Sequence, residues 1–205
     1  MKVAAYLDCK TIRFKGKIPV SEQDKKLADS VLGPDTENNI TIAINPMAKW
    51  KTKLWEPDKF SELALRLQKD LNCRIVFTGS SQDRAIIDEM IKHTGNAAGP
   101  VNLAGRTSLK ELAYLYSKCS VLICTDTGPM HIAAAMGCSV VALFGPTSPL
   151  RTGPYGTGHK VIRSGIYCSP CFKKECENPE CMKDITVNAV IDAVRRIILK
   201  GPSVN

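Results

Sequence analysis

The chain has 205 residues, 44% hydrophobic and 23% charged, which suffices for one well-buried domain but not for two large ones. This ordinary composition excludes a disordered or fibrous chain. The formal net charge of +8 favours acidic partners: phosphorylated small molecules, an anionic membrane surface or nucleic acid.

The amino-terminal segment is basic, with five lysines and arginines and one aspartate among residues 1–20. It has no interleaved aromatic residues and no zinc-finger or basic-zipper pattern, so nucleic acid is not a predicted partner. Residues 1–10 lack the apolar core of a signal peptide, and the most apolar stretch, 132–144, is too short to span a membrane. We therefore expect a cytoplasmic protein. Ser21 then predicts the N-cap of a helix that runs to about Leu32.

From residue 40 onward, apolar strands alternate with amphipathic helices. Strands are predicted at residues 40–44, 74–78, 101–104, 121–124, 140–144 and 161–162. Helices are predicted from Pro57 to about 71, over 86–91, after Thr107 or Ser108, over 129–136, and after Asp184 or Thr186. This order indicates an α/β protein with a doubly wound, Rossmann-like parallel sheet. No Gly-x-Gly-x-x-Gly follows the first strand, so an oxidoreductase is not predicted.

Polar residues follow three of the predicted strands, where ligands bind in such sheets. Lys53 follows the first strand and is predicted to contact a diphosphate or to be a solvated loop lysine. Asp83 follows the second strand, and it either binds a ribose diol or caps the next helix. Asp126 follows the fourth strand, and its carboxylate either accepts hydrogen bonds from sugar hydroxyls or caps the helix after it.

The segment after Asp126 begins a helix directly beyond a strand. The amides of Thr127, Gly128 and Met130 lie near this helix N-terminus and are predicted to point at an anion. The helix dipole adds about 0.3–1 kcal/mol to anion binding. His131 lies on the same helix, and such a histidine is more often structural than catalytic.

Four of the nine cysteines, Cys168, Cys171, Cys176 and Cys181, are clustered in the sequence with two, four and four intervening residues. Clustered cysteines in a cytosolic chain indicate metal more often than a disulfide. However, their spacing departs from the zinc-ribbon pattern of two well-separated C-x2-C knuckles. We predict no metal, and leave a structural zinc, a reduced hairpin and a disulfide formed on handling as alternatives. The other cysteines are predicted to fill apolar core space.

Several of these segments together resemble glycosyltransferase family 9, the lipopolysaccharide heptosyltransferases. They are Asp-Thr-Gly-Pro-Met-His-Ile-Ala-Ala-Ala (126–135), Val-Ala-Leu-Phe-Gly-Pro-Thr-Ser-Pro (141–149), Gly-Pro-Tyr-Gly (153–156), Asn-Leu-Ala-Gly-Arg-Thr-Ser-Leu-Lys-Glu-Leu (102–112) and Lys-Leu-Trp (53–55). The cysteine-rich stretch is similar to that of the heptosyltransferase II branch. One departure is Trp55-Glu56-Pro57, where the family usually has Trp-Pro, which puts the register of Lys53 in doubt.

The resemblance implies a GT-B fold, in which two Rossmann-like domains enclose the active site. Residues 40–205 would be the donor-binding domain, and residues 1–39 a basic arm and linker helix left from the acceptor-binding domain. The implied partners are ADP-heptose and, through the missing domain, the lipopolysaccharide core, with peripheral contact at the inner face of the inner membrane. No cofactor is implied.

The resemblance also assigns roles to residues. Lys53 would contact the diphosphate, Asp83 the adenosine ribose, and residues 104–107 would lie near the adenine. Thr127, Gly128 and Met130 would surround the phosphates, Asp126 would hold heptose hydroxyls, and His131 would line the donor pocket. No catalytic residue is assigned in this chain, because the general base of the inverting transfer is expected in the acceptor-binding domain. The isolated chain should therefore bind donor without transferring heptose.

Three rival hypotheses stay open: a family 9 transferase of another sugar, a non-catalytic nucleotide-binding module, and a protein that binds RNA or DNA. Donor profiling distinguishes the first of these. Salt-dependent binding to random oligonucleotides would support the third.

Overall fold

The computed structural model describes residues 17–33, 40–95 and 99–199, together with Tyr6. Its six strands are β1 (Thr41–Asn45), β2 (Arg74–Phe77), β3 (Val101–Asn102), β4 (Val121–Thr125), β5 (Ser139–Leu143) and β6 (Lys160–Ile162). Its helices are α1 (Glu22–Leu32), α2 (Pro57–Leu71), α3 (Arg84–Lys92), α4 (Leu109–Ser117), α5 (Gly128–Ala135), α6 (Pro149–Thr152), α7 (Glu180–Lys183) and α8 (Val187–Leu199). Two 3₁₀ turns, Lys51–Lys53 and Ser81–Asp83, follow β1 and β2.

The strands form one sheet in the order β3-β2-β1-β4-β5-β6, and every neighbouring pair is parallel. The chain moves outward in one direction from β1 to β3 and then in the other from β4 to β6. The order therefore reverses between β1 and β4, and this switch point is where open α/β sheets bind ligands, beyond the carboxyl ends of the strands. The predicted doubly wound, Rossmann-like fold is confirmed.

Helices cover the sheet on both faces because alternate strand residues point to opposite sides. On one face, Ile42, Ile44 and neighbouring strand residues pack with α2, α3 and α8. On the other face, Ala43 and Leu122 pack with α1, α4 and α5. All five residues of β1 and of β4 are buried, as the near-continuous apolar runs predicted.

Helix α1 begins as predicted, with Ser21 as its N-cap. The Ser21 hydroxyl accepts from the Asp24 N–H and the Asp24 carboxylate accepts from the Ser21 N–H, which completes a capping box. The helix packs on α4, where the Tyr114 hydroxyl donates to Asp29 at 3.0 Å. Residues 1–5, 7–16 and 34–39 lie outside the described part, so the assignment of residues 1–39 to another domain stays a prediction.

The structure differs from the sequence prediction mainly in short elements. Strand β3 ends at Asn102 rather than at residue 104, because the Asn102 side chain accepts the Ala104 N–H at 2.9 Å and turns the chain. The short helices α6 and α7 and both 3₁₀ turns were not predicted, since each spans too few residues to show a helical period. Among the described residues, no helix is long and apolar enough to cross a membrane.

Candidate functional site

An ion pair spans the switch point of the sheet. Lys53, from the turn after β1, places its Nζ 2.7 Å from Oδ2 of Asp126, which directly follows β4. The same Nζ donates to the Asp126 carbonyl oxygen at 3.2 Å. The side chains are 16% and 5% exposed, so this is a mostly buried pair that keeps a narrow opening to solvent. The structure therefore brings together two predicted site residues that are 73 positions apart.

Lys53 is held in place by the aromatic residues on either side of it. Its Nζ lies 4.6 Å from the centroid of the Trp50 ring, a cation–π distance. Trp55 is 2% exposed, and its indole Nε1–H donates to the Ile185 carbonyl at 3.0 Å. Helix α2 then begins at Pro57, as predicted. This anchoring directs Lys53 to the carboxyl ends of the strands.

Asp126 accepts two further hydrogen bonds, both from threonines after β5. Thr147 Oγ1 donates to Asp126 Oδ2 at 2.7 Å, and Thr152 Oγ1 donates to the same oxygen at 3.2 Å. The residue in the N-cap position of α5 is Thr127, so the alternative in which Asp126 caps that helix is wrong. Instead, the Asp126 carboxylate joins the ends of β1, β4 and β5.

The start of α5 lies beside this carboxylate. The Thr127 side chain makes no capping bond, and a Cβ added at Gly128 would meet nothing within 4 Å, so the approach to this backbone is open. The first amides of a helix lack partners within it and favour anions. Met130 is placed differently: its side chain is buried, and its N–H donates to the Thr127 carbonyl at 3.2 Å. Thr127 and Gly128 therefore remain the better placed of the three predicted amide donors.

The floor of the site is a buried hydrogen-bonded chain across β1, β2 and α4. Asn45 Nδ2 donates to the Thr78 carbonyl at 3.0 Å and to Thr78 Oγ1 at 3.1 Å. Thr78 Oγ1 also shares a 2.8 Å hydrogen bond with the Tyr116 hydroxyl. Burial raises the pKa of Tyr116, so the phenol stays neutral. These bonds fix the carboxyl ends of β1 and β2 against each other.

Asp83 lies at the next strand end and has a structural role in the described protein. Its Oδ2 accepts from the Ser80 N–H and hydroxyl, both at 2.7 Å, which closes a capping box around the turn after β2. The loop after β3 packs on this turn, since a Cβ on Gly105 would lie 2.5 Å from the Ser81 Cα. Among the described residues, no hydrogen bond or ion pair connects Asp83 with the Lys53–Asp126 pair.

His131 is exposed on α5. Thr147, Thr152 and Trp50 were not predicted from the sequence as parts of the site. A signal for the threonines was available, because they follow β5, which pairs with β4, the strand directly before Asp126. Nothing in the sequence indicated which of the hydroxyl groups after β5 would reach across to this carboxylate.

The model of glycosyltransferase family 9 (heptosyltransferase) matches residues 2–182. Among curated relatives, lipopolysaccharide heptosyltransferase 2 of Escherichia coli is 33% identical over 189 residues, covering 90% of this chain and 54% of the relative. Lipooligosaccharide heptosyltransferase 2 of Campylobacter jejuni is 27% identical over 161 residues, covering 76% and 51%. This chain therefore spans about half the length of the curated relatives it matches.

Two solved structures are similar in both fold and sequence. The E. coli ADP-heptose lipopolysaccharide heptosyltransferase II superposes with a TM-score of 0.73 at 27% identity. A family 9 glycosyltransferase from Veillonella parvula superposes with a TM-score of 0.78 at 26% identity. Each match covers 90% of this chain and 54% of the solved chain.

Proposed function

Because the chain belongs to glycosyltransferase family 9, we propose that residues 40–205 are the donor-binding domain of a heptosyltransferase. The reaction is the transfer of heptose, with inversion, from ADP-heptose to the lipopolysaccharide inner core. The observation that carries this proposal is the Lys53–Asp126 pair, because it sets a cation and a sugar-binding carboxylate side by side at the switch point. An ADP-sugar has the matching charges and hydroxyl groups.

The diphosphate is placed between Lys53 and the start of α5. The Lys53 side chain is 16% exposed, so a phosphate oxygen can reach its Nζ from the open side. The Thr127 and Gly128 amides lie at the N-terminus of the eight-residue helix α5, where the helix dipole also favours a negative charge. These groups stabilise the charge that develops on the departing ADP, and they need no divalent ion to do so.

The heptose is placed on Asp126. Lys53, Thr147 and Thr152 all donate to its Oδ2, which fixes the carboxylate in one orientation. We assign the second oxygen, Oδ1, to heptose hydroxyl groups. His131, exposed on the next turn, lines the same pocket without a catalytic role.

The adenosine is placed at the ends of β2 and β3. Asp83 uses Oδ2 for the Ser80 capping box, which leaves Oδ1 to accept from a ribose hydroxyl. Residues 104–107 form the adjoining wall near the adenine. Arg84 fixes this wall, since its guanidinium donates twice to the Ala104 carbonyl, at 3.2 and 3.0 Å.

The general base is assigned to the acceptor-binding domain. The described carboxylates of the site hold other partners: Asp126 holds Lys53 and two threonines, and Asp83 holds Ser80. A general base contributes about 10²–10⁴ to the rate, so the 205-residue chain should bind donor yet show no transfer to a lipopolysaccharide acceptor. Turnover above background by this chain would contradict the assignment.

The reaction is placed in the cytoplasm, with peripheral contact at the inner face of the inner membrane. The net charge of +8 suits an anionic lipid surface and a phosphorylated acceptor. Vesicles of anionic lipid should therefore bind the protein in a salt-sensitive way, whereas neutral vesicles should not.

The variant Asp126→Ala tests the placement of the donor. Loss of the carboxylate removes the contact with heptose and frees Lys53 for the diphosphate. Titration calorimetry should therefore show a larger loss of affinity for ADP-heptose than for ADP. Equal losses for the two ligands would overturn the assignment of Asp126 to the sugar. Asp192→Ala, at an exposed position of α8, is the matched control and should change neither affinity.

A further inference from the structure

A cavity beside the donor site is lined by all four clustered cysteines. It has a volume of about 240 Å³, and Cys168, Cys171, Cys176 and Cys181 all contribute to its wall. Cys181 is buried at the start of α7, Cys171 is half-buried, and Cys168 and Cys176 are exposed. Thr52 and Pro146 line the same cavity, so it borders the loops after β1 and β5.

The cysteine-rich segment is bonded to both of these loops. The Phe172 N–H donates to the Pro146 carbonyl at 2.7 Å, next to Thr147. The Thr52 hydroxyl donates to the Lys173 carbonyl at 2.9 Å, next to Lys53. A Cβ added at Gly145 would lie 2.9 Å from Cys181 Sγ, so the last cysteine packs directly against the loop after β5. Any group that fixes the four cysteines would also fix the two loops that hold Asp126.

These thiols differ from the cysteines of the core. Burial raises the pKa of Cys73 to about 11 and that of Cys138 to about 12, which keeps them neutral and unreactive. The four cavity cysteines instead line one shared space, and two of them, Cys168 and Cys176, are exposed.

We propose that Cys168, Cys171, Cys176 and Cys181 bind one thiophilic divalent cation, Zn²⁺ or an equivalent. Four thiolates are a complete ligand set for a tetrahedral structural zinc, with Zn–S distances of about 2.3 Å. Among the described residues, no three His, Cys, Asp or Glu side chains already form such a set. The segment must therefore contract around the ion, and residues 163–179, all within the described part of the chain, form no helix or strand that would oppose this.

This proposal departs from the prediction of no metal made from the sequence. The spacing alone did not match a zinc ribbon, but the fold brings the four residues to one cavity despite that spacing. Lys173 and Lys174, between the second and third cysteines, offset part of the charge of a four-thiolate site. The bound cation would tie the cysteine-rich segment to the loops that carry Thr147 and Lys53.

Metal analysis of the 205-residue protein, purified under reducing conditions without chelator, tests the proposal. We expect about one zinc per chain. The exposed ligands allow conservative variants, so Cys168→Ser and Cys176→Ser should each lose most of the metal. Cys73→Ser, a core cysteine outside the cavity, is the matched control and should retain it. Co²⁺ added to the metal-free protein should give thiolate charge-transfer bands that both cavity variants weaken.

Thiol alkylation followed by mass spectrometry supplies a readout independent of metal content at purification. Zn²⁺ should protect the four cavity thiols of the reduced protein, and a chelator should expose them again. Zn²⁺ should also raise the Tm of the wild-type protein by several degrees and leave Cys168→Ser unchanged. Far less than stoichiometric zinc together with no protection after Zn²⁺ addition would overturn the proposal. The proposal would also be overturned if Cys168→Ser and Cys176→Ser bound as much zinc per chain as the Cys73→Ser control.

Discussion

Replacing Lys53 with methionine should destabilise the fold, because it leaves the buried Asp126 carboxylate without its cation. At 2.7 Å and an effective dielectric constant of about 20, the pair attracts by roughly 6 kcal/mol before desolvation is subtracted. Removing one partner of a buried pair costs about 3–5 kcal/mol. Since Asp126 keeps two hydroxyl donors, we expect the lower end, about 3 kcal/mol, and a fall in Tm of about 6–12 °C.

The measurement is the free energy of unfolding in urea for wild type, Lys53→Met, Asp126→Asn and the double variant. The double variant should be more stable than Lys53→Met, because the asparagine removes the unpaired charge. Lys92→Met is the matched control: its pair with Glu89 is 2.6 Å long, but the side chains are 69% and 59% exposed. Such surface pairs contribute about 0–1 kcal/mol. If Lys53→Met lowered the free energy of unfolding no more than Lys92→Met does, the conclusion that the Lys53–Asp126 pair is buried and stabilises the fold would be refuted.

Two more predictions concern the same half of the sheet. Thr147→Val removes a hydroxyl that donates to Asp126 at 2.7 Å, and it should cost about 1.5–3 kcal/mol in urea unfolding. His159 accepts the Val140 N–H through Nδ1, and burial lowers its pKa from 6.5. The unfolded chain therefore binds more protons near that pH, so wild-type stability relative to His159→Gln should fall as pH drops below 6.5.

Different outcomes would contradict each of these predictions. Thr152→Val is the control for Thr147→Val, because its bond to Asp126 is 3.2 Å long and the residue is half-buried. Equal losses in the two threonine variants would argue against the shorter bond as the main support of Asp126. For His159, unfolding curves of wild type and His159→Gln that shift in parallel between pH 5 and 8 would contradict a neutral, half-buried imidazole.

The fold could be predicted from the sequence because its signals are local. The strands of the sheet are short apolar runs. The structure confirms Ser21 as a helix N-cap, and of the two candidates Thr107 and Ser108 it has Ser108 as the N-cap of α4. Strand order then follows from the rules of doubly wound sheets. Short elements and their ends were missed where a single side chain determines the backbone conformation, as Asn102 does at the end of β3.

The site could be predicted only in part. The rule that ligands bind at carboxyl ends of strands identified Lys53 and Asp126, and the fold brought them within 2.7 Å of each other. Their direct pairing, the threonines that hold Asp126 and the buried Met130 depend on tertiary contacts between loops far apart in sequence. The cavity shared by the four cysteines could not be predicted either, because their spacing in the sequence does not say how close they lie in the folded protein.

Titration of the protein with nucleotide sugars tests the central claim most directly. The ligands are ADP-heptose, ADP, and the corresponding UDP- and GDP-sugars, each measured by calorimetry with EDTA present. Lys53 and Asp126 predict that ADP-heptose binds more tightly than ADP and that EDTA changes neither affinity. The adenosine contacts proposed for Asp83 and residues 104–107 predict that UDP- and GDP-sugars bind at least tenfold more weakly, a difference of about 1.4 kcal/mol. Equal binding of all three nucleotide sugars, or donor binding that requires a divalent ion, would contradict it.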